Sequence, residues 1–242
     1  MQHLINNLVG YTMGATDGEI GGVDAFYFDD ETWAVRYMEV QAGSWFSGRR
    51  VLISPVALVK GGWKQGVFDV NLTKEQIRTS PEIDTDKPVY RQHEMQLYNH
   101  YRWQDYWSGS GYYGGGMWAM PQLTPVNDAT DVIPPKEGDP HLRSSTQING
   151  YHIHTVDGVK AGHVADFIMD DESWQIVYLV VDSDKLFGGK KIKLAVSHIK
   201  KVEWDNSAIF VDVSAVFIDD AATFEDAEFL HHEKALMAEH VS

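Results

Sequence analysis

The segment Asp29-Asp30-Glu31-Thr32-Trp33 returns as Asp170-Asp171-Glu172-Ser173-Trp174, and Trp174 stands 141 residues after Trp33. The same displacement aligns Trp45-Phe46-Ser47-Gly48-Arg49-Arg50-Val51 with Leu186-Phe187-Gly188-Gly189-Lys190-Lys191-Ile192, then Trp63 with Trp204, then Phe68, Val70 and Leu72 with Ile209, Val211 and Val213. A single offset held over so long a stretch is an internal repeat, and it obliges the chain to build the same unit twice. Upstream, Gly10-Tyr11 and Asp17-Gly18 match Gly150-Tyr151 and Asp157-Gly158 at a displacement of 140, so one residue is inserted near Val159-Lys160, where a turn accommodates it.

Within each copy the hydrophobic period is that of strands. Val23, Ala25 and Tyr27 alternate with their neighbours, as do Trp33, Val35 and Tyr37, and the second copy repeats both patterns from His163 to Met169 and from Trp174 to Val180. The Asp-Asp-Glu-Thr/Ser element between them has turn chemistry, which predicts a β-hairpin. Shorter strands are expected at 50–54 and 66–72, and again at 191–196 and 208–213. Several short strands per copy, separated by Gly-containing turns, point to a small closed or nearly closed barrel.

Between the copies the composition changes. A helix is predicted over 89–101, running into a segment in which Tyr98, Tyr101, Trp103, Tyr106, Trp107, Tyr112, Tyr113 and Trp118 fall within 21 residues together with five glycines. A Pro-rich, charged tether follows through Pro134-Pro135 to Pro140. An amphipathic helix is predicted over 226–240, with Ala227, Leu230, Lys234 and Met237 at helical spacing and capping chemistry at Thr223 and Asp226.

The pattern from Gly21 through Asp29-Asp30-Glu31-Thr32-Trp33 to Met38, and its fuller match from Gly162 through Asp170-Asp171-Glu172-Ser173-Trp174 to Val181, resembles PRC-barrel domains. The resemblance covers about 4–80 and 146–220. It implies a compact barrel used for protein–protein contact or assembly, and the family pattern has no catalytic residues to carry over. The expected fold is mainly β: two small PRC-type β-barrels in tandem, joined by an aromatic and Gly-rich connector, with a short C-terminal α-helix. The expected divisions are a first barrel at 1–80, the connector at 81–145, a second barrel at 146–220 and the C-terminal helix at 221–242.

Charge and composition exclude several functions. A net charge of −15, from 20 basic and 35 acidic side chains, repels phosphate backbones and anionic lipid. The stretches Gly48-Arg49-Arg50 and Lys190-Lys191-Ile192-Lys193 are short candidates for a local basic patch. No window approaches the roughly 20 apolar residues that cross a bilayer, so the chain is expected to be cytoplasmic and not membrane-inserted. The absence of cysteine removes disulfides, thiolate nucleophiles and Cys-type metal sites.

Each candidate site has a structural alternative. His152 and His154 stand two apart on a strand and share a face, as a zinc or nickel site requires, or they are a half-exposed strand face. The acidic turns Asp29-Asp30-Glu31 and Asp170-Asp171-Glu172 offer carboxylates to a divalent cation, or are solvated hairpin tips. Ser54 has no Gly-x-Ser-x-Gly elbow, and phosphate-loop fingerprints are missing, so the chain is not expected to be an enzyme. The aromatic connector residues Tyr98, Tyr101, Trp103, Tyr106, Trp107, Tyr112, Tyr113 and Trp118 pack across the barrels, form a surface for a protein partner or for self-association, or stack on nucleobases or glycans. The expected function is a non-enzymatic interaction or scaffold protein, without cofactor and without nucleic acid, binding a protein partner or forming homo-oligomers. The rival is a small-molecule or metal sensor using the cleft between barrels, lined by the connector aromatics with His152 and His154.

Overall fold

The computed structural model describes residues 1–43, 48–64, 66–81, 91–103 and 142–225. The predicted helix over 226–240 and the connector aromatics Tyr106, Trp107, Tyr112, Tyr113 and Trp118 lie outside the described residues. The first copy runs β1 (Gln2–Leu4), α1 (Ile5–Leu8), β2 (Thr12–Ala15), β3 (Gly18–Asp29), β4 (Val35–Ala42), β5 (Arg50–Ile53), β6 (Leu58–Lys64), β7 (Val67–Val70) and α2 (Lys74–Arg78). The connector helix α3 spans Arg91–Tyr101. The second copy repeats the series as β8 (Leu142–Ser144), α4 (Ser145–Ile148), β9 (His152–His154), β10 (Lys160–Asp170), β11 (Gln175–Ser183), β12 (Lys191–Ala195), β13 (Ile199–Glu203), β14 (Ala208–Val211) and α5 (Ala215–Asp220).

The fold is mainly β, with two seven-stranded, barrel-like sheets. Both have the same order: β5-β4-β3-β2-β7-β6 in one and β12-β11-β10-β9-β14-β13 in the other. The hairpins expected from the alternation are present, β3 pairing with β4 and β10 with β11 in antiparallel register. Their turns follow from the aspartates at their heads. Asp29 Oδ1 accepts the N–H groups of Glu31 and Thr32, and Asp170 Oδ1 accepts the N–H and hydroxyl of Ser173, the local chemistry that favours Asp at a turn start. The inserted residue falls in the turn between β9 and β10, where Gly158 has φ of +78°.

The repeat does not fold as two independent units. β1 pairs with β10 of the second sheet, Gln2 opposite Asp170 and Leu4 opposite Ile168. β8 pairs with β3 of the first, Leu142 opposite Asp29 and Ser144 opposite Tyr27. Each copy thus lends its leading strand to the other. The reason lies in β3 and β10 themselves: irregularities at Val23/Ala25 and Val164/Asp166 bend each long strand. The first half pairs with β2 or β9, leaving one edge of the second half open to a visitor. Closing that edge with the other copy's strand satisfies its backbone groups and removes an aggregation-prone surface.

The short helices that follow, α1 and α4, arrive with the exchanged strands, and Ile5, Leu8 and Ile148 are fully buried. One continuous apolar core therefore draws on both copies, from Phe26, Phe28 and Tyr37 to Phe167, Leu179 and Ile209. The Phe28 and Phe167 rings meet at 5.9 Å, and Phe68 lies 6.4 Å from Trp174. Between the hairpins a second contact repeats the reciprocity, with Ala34 bridging Gln175.

Candidate functional site

Where the first hairpin meets the second sheet, a cleft of about 450 Å³ opens. Asp30, Glu31 and Trp33 line it from the turn between β3 and β4, Arg143 from the exchanged strand β8, and Lys200, Lys201 and Trp204 from β13 and the residue after it. Arg143 is the keystone. Its Nε donates to Asp30 Oδ2 at 3.0 Å, and its guanidinium lies 3.9 Å from the centre of the Trp204 ring. The pair is largely removed from water, with side-chain exposures of 9% and 15%, where an ion pair and a cation–π contact both gain strength. Lys201 pairs with Glu203 at 2.5 Å and Lys200 with Asp212 at 3.1 Å. The described lining offers flat aromatic surface and charge of both signs, and it has no serine, threonine or histidine to form a nucleophile–base pair.

The site in the equivalent place of the other copy is not a duplicate. His3 stands where Arg143 stands, and its Nε2 meets Asp171 Oδ2 at 3.1 Å. The repeat conserves the position of the anchor and changes its chemistry from a guanidinium fork to an imidazole ring.

The other sequence-derived candidates disperse. His152 and His154 lie on β9 as expected, with His163 opposite His152 on β10. His154 stacks on Phe210 at 5.2 Å. Burial depresses the His152 pKa, helped by the positive charge of Lys160 and the neighbouring His154 and His163. Among the described residues no three His, Asp or Glu side chains are grouped to hold a metal ion. Neither histidine lines the cleft beside Arg143.

Of the acidic turns, Asp29 caps its own loop and faces Arg36 at 3.7 Å, while Asp30 is held by Arg143. Ser54 is buried and accepts the Val56 N–H at the head of the 3-10 turn Pro55–Ala57. The two basic stretches serve the fold: Arg49 donates to the Ser80 carbonyl, Arg50 approaches Glu39 at 3.4 Å, and Lys190 Nζ donates to the carbonyls of Asp219 and Ala221.

Three connector aromatics are placed, and they pack on the first barrel. Tyr98 and Tyr101 are buried and Trp103 is partly buried. Tyr101 stacks on Trp103 at 4.4 Å, while Tyr98 meets Trp103 and Tyr37 edge-on at 5.6 and 6.4 Å. Burial pushes the phenols of both tyrosines up to about 12. Arg143 and Trp204 were not legible as a pair in the sequence, because 61 residues separate them and only the strand exchange brings β8 to the cleft.

Comparison with known proteins bears on the second copy. Residues 140–217 match the PRC-barrel domain. The matched span opens on β8 and α4 and closes within α5, so the PRC-barrel segment includes a strand that pairs with the other sheet. A protein of Deinococcus radiodurans described as "Uncharacterized protein" is 32% identical over 100 residues, covering 37% of this chain and 36% of its own length. The chain thus spans about a third of that relative. Among the described residues no helix is long and apolar enough to cross a membrane.

Proposed function

We propose that this chain is a non-enzymatic interaction or scaffold protein built on two PRC-type barrels, the first copy being a second barrel of the same family, with divisions near 1–80, 81–145, 146–220 and 221–242. The supporting observation is a divergence at one exposed corner. Where the turn between β9 and β10 meets α5, Val156, Val216 and Phe217 are exposed by 69%, 66% and 45%. Their counterparts in the first copy are Thr16, Glu75 and Gln76. The backbone frame beneath is the same in both, Asp157 accepting the Ala215 N–H as Asp17 accepts that of Lys74. A repeat that keeps its frame and swaps polar for apolar groups at one exposed corner presents a contact surface. The aromatic run from Tyr106 to Trp118 supplies further contact area to the same or a second partner. The reading entails no cofactor, a cytoplasmic protein partner or self-association, and no nucleic acid.

Cross-linked pull-downs from the native host, run beside light scattering of the pure protein, test this. A partner or self-association retained by the parent and lost in a Val156→Ser, Val216→Ser, Phe217→Ser triple variant of unchanged melting temperature is the expected result. Equal recovery with both proteins would refute it.

A second reading rests on the cleft itself: Arg143 stacked on Trp204, with Lys200 and Lys201 beside it, suits a small planar anion. Native mass spectrometry of the purified chain separates the two, since a bound metabolite lost on Arg143→Met substitution supports the sensor.

A further inference from the structure

β13 ends its sheet: among the described residues it pairs with β14 on one side and with no strand on the other. Part of its main chain therefore points away from β14. The cleft beside Arg143 opens on that side. Ile199, Lys200, Lys201 and Val202 all line it, four consecutive residues that a single face of a strand cannot supply, so the wall they form includes the strand's edge. Lys200 and Lys201 stand out from it, with side-chain exposures of 64% and 63%. Edge lysines and the irregularity between Ile199 and Lys201 discourage indiscriminate strand pairing. The lysines do so by charge, and a strand that carries carboxylates is the one they admit.

This edge is continuous with the exposed apolar corner. The Phe217 ring lies 5.5 Å from that of His198, the residue before β13, and His198 and Lys200 share Asp212 at 2.8 and 3.1 Å. From Phe217 a strip runs along the five residues of β13, about 17 Å, to Trp204, on which Arg143 is stacked. The second copy has diverged along this strip. Lys200 and Val202 stand where the first copy has Val59 and Gly61, Arg143 where it has His3, and Phe217 where it has Gln76. Glycine weakens a strand, and β6 carries Gly61 and Gly62 where β13 carries Val202 and Glu203. In a chain of net charge −15, the cleft sets Arg143, Lys200 and Lys201 against Asp30 and Glu31. The exposed pairs of Lys200 with Asp212 and Lys201 with Glu203 hold weakly, so both ammonium groups are available to an incoming carboxylate.

We propose that the open edge of β13 receives an extended acidic peptide segment of a protein partner, which adds a strand to the second sheet. Its apolar end lies toward Phe217, and its carboxylates meet Lys200, Lys201 and Arg143. The inference rests on the partner reading above and supplies the partner's chemistry: main-chain hydrogen bonds from the edge give affinity, and the cations select for charge.

A display library of short random peptides, selected on the full chain, is the probe. Enriched sequences should be rich in Asp and Glu among alternating apolar residues. The leading peptide, made synthetically, should slow exchange of the β13 amides directed away from β14 at least tenfold. It should bind a Lys200→Glu, Lys201→Glu variant at least tenfold more weakly, with Lys200→Gln, Lys201→Gln, which adds no repulsion within the fold, falling between. No enrichment, or peptides that bind parent and variants equally, would overturn the proposal. A peptide that slows exchange only around Phe217 would overturn strand addition while leaving the partner reading intact, whereas that reading fails on equal recovery with the Val156→Ser, Val216→Ser, Phe217→Ser variant. Slow exchange of the same β13 amides in the pure chain, relieved on dilution, would assign the edge to a second copy and also overturn it.

Discussion

Trp33 and Trp174 share a left-handed backbone conformation, with φ of +59° and +55°, and each accepts across the molecule at its carbonyl: Trp33 from the Ile176 N–H at 2.8 Å, Trp174 from the Val35 N–H at 2.7 Å. A bulky residue in this region costs about 1–2 kcal/mol. The conformation turns each carbonyl toward the other hairpin, and the two hydrogen bonds with the Ala34–Gln175 bridge tie the hairpins together.

The two tryptophans differ in burial, and their truncations should differ accordingly. Trp33 is buried and stacks on Phe28 at 5.2 Å, whereas Trp174 is only partly buried. Trp33→Ala should cost about 3–5 kcal/mol and Trp174→Ala roughly 1–2 kcal/mol. Urea denaturation measures both, and equal losses would contradict the asymmetry.

Gly21 and Gly162 hold the hairpins close. A Cβ at Gly21 would collide with the Gln41 carbonyl oxygen, and one at Gly162 with that of Asp182, and Gly162 also has φ of +148°. Backbone cannot yield as a flexible side chain can. Alanine at either position should destabilise by roughly 2–3 kcal/mol, Gly162→Ala the more because strain adds to overlap. Thermal unfolding of the two single variants provides the comparison.

Strand exchange makes each half incomplete. Expressed alone, residues 140–242 keep β10 with an open edge and β8 without its sheet. Two such chains can satisfy each other by laying β8 of one on β10 of the other, as β1 does in the full chain. Light scattering should therefore report a dimer, and a monomer as stable as the full chain would show that β8 folds back on its own sheet.

The docking of α3 should fail in alkali. The Tyr98 and Tyr101 phenols have folded-state pKa values raised to about 12 from an ordinary 10. The folded state thus holds these protons more tightly than the unfolded one. Their contribution is complete below pH 10 and is lost as pH rises toward 12. A Tyr98→Phe, Tyr101→Phe variant should lose less stability than the parent between those values, by roughly 2 kcal/mol per tyrosine at the upper end. Chemical denaturation at a series of alkaline pH values tests this, and parallel curves for the two proteins would contradict it.

Much of the architecture was legible in the chain because its signals are local. The β-rich runs from Val35 to Ala42 and from Gln175 to Ser183 mark strands, although burial of both faces around Tyr37–Val40 and Leu179–Val181 came only with the tertiary structure, and an aspartate that caps its own turn needs no distant partner. A displacement of 140 before the inserted residue and 141 after it places each strand of one copy on its counterpart. The Arg143–Trp204 cleft was not legible, and neither was the cover that α3 provides, because both depend on which surfaces meet.

The internal repeat, the strand pattern, the hairpins and the acidic balance of this chain are properties of the sequence alone, since each follows from neighbours within a few residues or from composition. The exchange of β1 and β8 belongs to the tertiary structure. β3 and β10 offer nearly the same edge, each followed by an aspartate, Asp30 or Asp171, able to receive either His3 or Arg143. Local chemistry is satisfied by both pairings, and packing of α1 and α4 into a core shared by the two copies selects the crossed one.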